Sequence, residues 1–127
     1  MIRVDISYGE LFDKISILEI KKSKLNNPQE IVKVKYELNL LLQELNNSKL
    51  NSSIISSLTQ DLKEVNLKLW NIEDEIREKE RNKKFDEEFI KLARNVYITN
   101  DTRAKIKNEI NKKLNSKVFE IKSYEKY

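Results

Sequence analysis

Ile55, Leu58, Leu62, Val65, Leu69, Ile72 and Ile76 alternate steps of three and four for three full heptads. That repeat matches the turn of an α-helix and does not fit a strand, whose side chains alternate every two residues. A chain with such a seam can hide it only by laying a long helix against other helices. Composition points the same way. The 127 residues contain one Gly and one Pro, while 36% are charged. Strand-rich folds need more turn residues than this. The length predicts one domain, residues 1–127, with one modest core.

Four helices are expected. Ser7-Tyr8-Gly9-Glu10 reads as a capping box, so a first helix should cover about 8–25, with Tyr8, Leu11, Ile15, Leu18 and Leu25 on one side. Asn26-Asn27-Pro28 ends it, and Pro28 suits the first turn of the next helix. The second helix should cover about 29–45, with a seam of Ile31, Val34, Leu38, Leu41 and Leu45. Residues 46–53 are a polar loop. The third helix should cover about 54–81 and the fourth about 86–114, joined by a tight turn at Asn82-Lys83-Lys84. Glu73/Arg77, Glu75/Lys79 and Glu80/Lys84 are favourably ordered i,i+4 pairs. The fourth seam runs Phe85, Phe89, Leu92 and Val96, turns polar at Thr99 and Arg103, and resumes at Ile106 and Ile110. The polar interval predicts either a kink near Thr99–Asp101 or a polar layer in a continuous helix. Residues 2–6 and 117–123 alternate apolar and polar, predicting a small β-pair that joins the termini. The expected fold is all-α, two antiparallel helical hairpins with coiled-coil-like seams.

At 1.5 Å per residue, the later helices reach roughly 40 Å and the earlier ones about 25–30 Å. About 10–15 Å of apolar seam on the long hairpin is then uncovered. A second copy of the chain is the economical cover, so a homodimer is expected.

Several chemistries lose their usual residues. There is no Cys and no His, which removes thiolates, disulfides, the commonest general base and the commonest metal ligand. No metal site is predicted. No apolar run approaches a membrane span, and MIRVDISYGE lacks the apolar core of a signal peptide, so a cytoplasmic location is expected. The net charge of +4 comes from interleaved charges, with the excess mostly between Arg103 and Lys126. Specific nucleic-acid binding usually needs Lys and Arg gathered on one face, and is not expected.

The back of the third helix carries Trp70, Asp74 and Arg77 in LWNIEDEIR, opposite Leu69, Ile72 and Ile76. A hairpin turning near Lys83 sets Trp70 level with Tyr97, and Glu73 and Asp74 level with Arg94 and Ala93. Arg94, Tyr97, Asp101 and Ala104 form a matching stripe. Glu10 and Asp13 lie on the first helix, away from its Leu11–Ile15–Leu18 seam. One reading makes these groups partly buried ion pairs that set register. The other makes them a polar cleft, with arginines gripping an anion, carboxylates acting as base or Mg²⁺ ligand, and aromatics as floor.

The blocks ISYGELFDKISILEIKKSKL, LWNIEDEIREKE and FIKLARNVYITNDTRAKIKNEIN resemble an uncharacterised family of small bacterial and phage proteins, known only as a domain of unknown function. The resemblance covers most of the chain outside about Asn26 to Asn66. It implies shared architecture and no particular chemistry. It gives weight to the polar members of those blocks: Glu10, Asp13, Lys14, Glu19, Trp70, Glu73, Asp74, Arg77, Tyr97, Asn100, Asp101, Arg103 and Lys107. With Arg94 in place of Glu19, these are the candidate ligand or interface residues. The leading expectation is an interaction or assembly module acting as a homo-oligomer. The alternative is a small helical enzyme or metabolite binder for a phosphate- or carboxylate-bearing molecule.

Overall fold

In the computed structural model, which describes residues 1–127, the chain forms four α-helices and no strand. They are α1 (Tyr8–Lys24), α2 (Pro28–Asn47), α3 (Ser56–Arg81) and α4 (Glu87–Lys113). Local chemistry sets their starts. The Ser7 hydroxyl accepts from the Glu10 N–H, Asn27 accepts from the Gln29 N–H ahead of Pro28, and Asp86 accepts from the Phe89 N–H. A 3-10 turn, Ser52–Ile55, precedes α3 and delays it slightly relative to the periodicity. Lys83 ends the third helix in a left-handed conformation, φ 54°. Its N–H reaches the Glu80 carbonyl while the Lys84 N–H reaches Lys79. These bonds satisfy carbonyls that the helix end would leave open.

The helices pair as two hairpins, α1 with α2 and α3 with α4. α1 is the shared element. One side presents Ile15 and Leu18 to Val34 and Leu38 of α2. Another places Phe12 among Ile55, Leu62 and Ile110. Only α1 lies along the α3–α4 hairpin, and α2 forms an outer layer that reaches the Phe12 cluster through Leu45.

The expected β-pair is absent: residues 2–6 and 117–123 are not strands. Two isolated strands are marginal in water, and α4 holds the tail instead. Asn115 reverses the chain with φ 55°. The Glu120 carboxylate then meets Lys107 at 3.0 Å, and the Tyr127 hydroxyl donates to Asp101 at 2.8 Å. α4 is unbroken through Thr99–Asp101, so the polar interval is a layer and does not interrupt the helix. Of the three anticipated helix-surface pairs, Glu73–Arg77 forms at 3.1 Å. Lys79 instead crosses the hairpin to Asp86 at 3.1 Å and Glu88 at 2.8 Å, and Glu80 lies 3.8 Å from Lys83.

The only glycine marks a close approach of α1 to α4. A Cβ built on Gly9 would sit 2.3 Å from the Lys107 carbonyl oxygen, which is backbone and cannot swing away. Gly9→Ala is therefore expected to push α1 off α4 and cost about 3 kcal/mol, an overpacking penalty. Urea unfolding measures it, and a change under 0.5 kcal/mol would contradict the contact.

Candidate functional site

Arg103, Lys107 and Asn111 recur every four residues, so they share one stripe of α4. The stripe faces α1, and α3 adds Asn66. Asp13, only 1% exposed, lies at the centre. It accepts from Arg103 Nε at 2.9 Å, from Arg103 Nη2 and from Asn66 Nδ2 at 2.8 Å. Asn66 also donates to the Ser16 hydroxyl at 3.1 Å. Lys107, with its side chain 6% exposed, donates to Glu10 at 2.8 Å, forms an ion pair with Glu120 at 3.0 Å, and lies 3.7 Å from Asp13. Asn111 accepts the Gly9 N–H at 2.6 Å, locking the first turn of α1 to α4. The network is thus three carboxylates around two cations, with the Asn66 amide completing the donors around Asp13. The buried Thr99 hydroxyl has no partner.

Burial on its own would raise the Asp13 pKa. Hydrogen bonds from Arg103 and Asn66, with the charges of Arg103 and Lys107, outweigh it and hold the carboxyl below its ordinary value. Burial likewise opposes the Lys107 charge, but Glu10, Glu120 and Asp13 raise its pKa overall. Glu120 is held low by Lys107 against its own burial.

Beside this network lies an open groove of about 410 Å³. Ile17, Ile20, Leu69 and Trp70 supply its apolar lining, and Asn66, Glu73, Asp74, Arg77, Asn100 and Arg103 its polar lining. Arg103 joins network to groove, since Nη1 donates to Asn100 at 3.3 Å while Nε and Nη2 hold Asp13. The structure therefore divides the sequence candidates. Glu10, Asp13, Arg103 and Lys107 form the buried network. Trp70, Glu73, Asp74, Arg77 and Asn100 line the groove. Tyr97 and Asp101 face elsewhere: Tyr97 stacks edge-on against Tyr127 at 5.2 Å, within a second open groove of about 950 Å³ lined on one side by the tail. Trp70 and Tyr97, level in sequence register, line different grooves. Lys14 and Arg94 are exposed and form no ion pair within the chain.

Periodicity overlooked Ser16, Asn66, Asn111 and Glu120. A signal existed for Asn111, because it continues the Arg103–Lys107 stripe and amides are poor residues for a helix interior. Nothing local marks Glu120, which arrives through the fold-back of the tail. No group of three or more potential metal-binding carboxylates comes together.

Breaking the central pair should be expensive. Arg103→Met strands a buried carboxylate and is expected to cost about 3 kcal/mol, whereas Arg77→Met, at an exposed pair, should change stability by less than about 0.5 kcal/mol. Urea unfolding of both variants compares them, and equal effects would contradict the buried network. The pKa directions also set a pH profile. Asp13 and Glu120 bind protons less readily folded than unfolded, so their contribution is complete above about pH 5 and fades as the pH falls below about 4. Lys107 binds its proton more tightly when folded, so its contribution persists below about pH 10 and is lost above it. Thermal melts from pH 2 to 11 should show a plateau between these limits. A steady rise in stability on acidification would contradict the assignment.

Comparison with curated proteins and with solved structures returned no match. A protein family does match, across residues 2–127, and so includes the middle segment outside the blocks that carried the sequence resemblance. The chain belongs to the family of unknown function DUF6165.

Proposed function

We propose that this protein is an assembly module that works by associating with a second copy of itself. One observation carries the reading. The chain exposes 9558 Å², whereas a folded monomer of 15.2 kDa is expected to expose about 7,100 Å². The surplus is roughly 2,400 Å². The extended termini account for part of it, but a standard interface needs only about 800 Å² from each partner. Just ten hydrophobic residues are buried, a thin core for a chain of 127 residues. Association would bury the apolar surface that the helices leave open.

A second reading is a binding site for a phosphate- or carboxylate-bearing molecule in the Trp70 groove, with or without Mg²⁺. It is favoured by Arg103, whose guanidinium is held rigidly by Asp13 while its residue lines the groove. The same lining matches Arg77 and Arg103 with Glu73 and Asp74, so a free anion gains little net attraction there. That balance ranks assembly first.

Light scattering of the full chain separates the two readings. Assembly predicts about 30 kDa at micromolar concentration, twice the chain mass, and no thermal stabilisation by millimolar phosphate or citrate with or without Mg²⁺. A mass of 15.2 kDa at every concentration would overturn the proposal. Ligand stabilisation abolished by Arg77→Met would favour the second reading.

A further inference from the structure

The charges lining the Trp70 groove cancel in pairs, with one left over. Arg77 takes Glu73 at 3.1 Å, and Arg103 takes the buried Asp13 behind the wall. The carboxylate that remains is Asp74, which has no ion-pair partner in the chain. It stands on a ridge, and Lys79, Lys84 and Lys91 line the groove on its other side. None of the three pairs with it, and Lys79 is held by Asp86 and Glu88. Asn66, Trp70 and Asp74 recur every four residues, so they form one stripe of α3. Asn66, 5% exposed, donates through its amide nitrogen to Asp13 and to Ser16, which leaves Oδ1 without a partner. That oxygen is not sealed from solvent, and Asn66 lines the groove. The stripe therefore carries two free acceptors, one of them charged, on either side of an indole.

The α4 wall offers the reverse. Arg103 spends one N–H on Asn100 Oδ1 and two on Asp13, out of the five a guanidinium carries. Asn100 accepts through Oδ1, so its Nδ2 is a free donor. Acceptors and donors are close together, because Asn66 Nδ2 and Arg103 Nε bond the same oxygen, Asp13 Oδ1, at 2.8 and 2.9 Å. Ile17, Ile20 and Leu69 make the rest of the lining apolar. We propose that this groove binds a free amino acid with an apolar side chain. Its ammonium lies over Trp70 between Asn66 Oδ1 and Asp74. Its carboxylate takes the Asn100 amide and the open N–H groups of Arg103. Its side chain rests on Ile17, Ile20 and Leu69, and about 410 Å³ is room enough for it. A zwitterion satisfies both walls, whereas a simple anion satisfies one and is repelled by Asp74. The inference does not depend on the assembly reading, and it narrows the carboxylate-bearing molecule of the second reading to a zwitterion.

Trp70 is the only tryptophan, so the intrinsic fluorescence of the full chain reports on this groove alone. The test titrates it with L-leucine and L-phenylalanine. N-acetyl-L-leucine, which lacks the ammonium, and L-leucinamide, which lacks the carboxylate, are the controls. The expected result is a saturable change with at least one of the two amino acids. Both controls, and Asp74→Asn with the amino acid, should bind at least about tenfold more weakly, as when one charged hydrogen bond is lost. Asp74 is exposed, so its variant should fold, and Glu75→Gln, on the other groove, should bind like wild type. N-acetyl-L-leucine binding as tightly as leucine overturns the zwitterion and leaves a carboxylate site standing. Equal binding of L-leucinamide, or no effect of Asp74→Asn, also overturns the proposal. No saturable change with either amino acid overturns it as well, and leaves the assembly reading to be judged by mass.

Discussion

The Asp13–Arg103 pair is the contact on which the arrangement of helices depends. A carboxylate with 1% exposure is tolerable only when donors surround it. Its donors come from two other helices, Arg103 on α4 and Asn66 on α3. α1 therefore cannot slide along or rotate on the hairpin without stranding a charge. Lys107 extends the constraint to both ends of the chain by binding Glu10 near the start and Glu120 in the tail. Hydrophobic contacts alone would be less selective. Phe12, Ile55, Leu62 and Ile110 supply burial, but apolar side chains of similar size tolerate shifts that a bidentate guanidinium does not.

This economy leaves the molecule unevenly built. The lower half, where α1, α3, α4 and the 3-10 turn converge, has the buried apolar cluster and the ionic network. The upper half of the α3–α4 hairpin is two helices facing water on most sides. Two long helices hold together there through seam contacts and the Lys79 bridge across the turn. The chain thus combines a firmly specified base with an arm whose apolar seam is only half covered. The Trp70 groove lies between them, lined from both the α1 and the α3–α4 side.

The stripe on the back of α3, Trp70–Asp74–Arg77, proves to be the outer wall of that groove, and the buried ionic network lies beside it. Arg77 takes a local partner, Glu73, one turn away on its own helix. Arg103 takes a distant one on α1. The two arginines look alike in sequence, yet one caps a surface turn and the other organises three helices.

The sequence by itself determined the four helices and much of their capping, because helical period, Ser7, Asn27, Pro28 and Asp86 act within a few residues of one another. It also marked the polar interval at Thr99 and Arg103, since two hydrophilic residues in an apolar seam need partners. Tertiary structure alone decided which partners they found. Arg103 reaches Asp13 across 90 positions, and Thr99 finds none. Tertiary structure also placed α2 outside α1, turned the tail back along α4 in place of a strand, and sent Tyr97 to Tyr127 in place of Trp70. Each of those outcomes is a competition among contacts distant in the chain. Its result depends on which faces remain open after the helices dock, a quantity that no local spacing records.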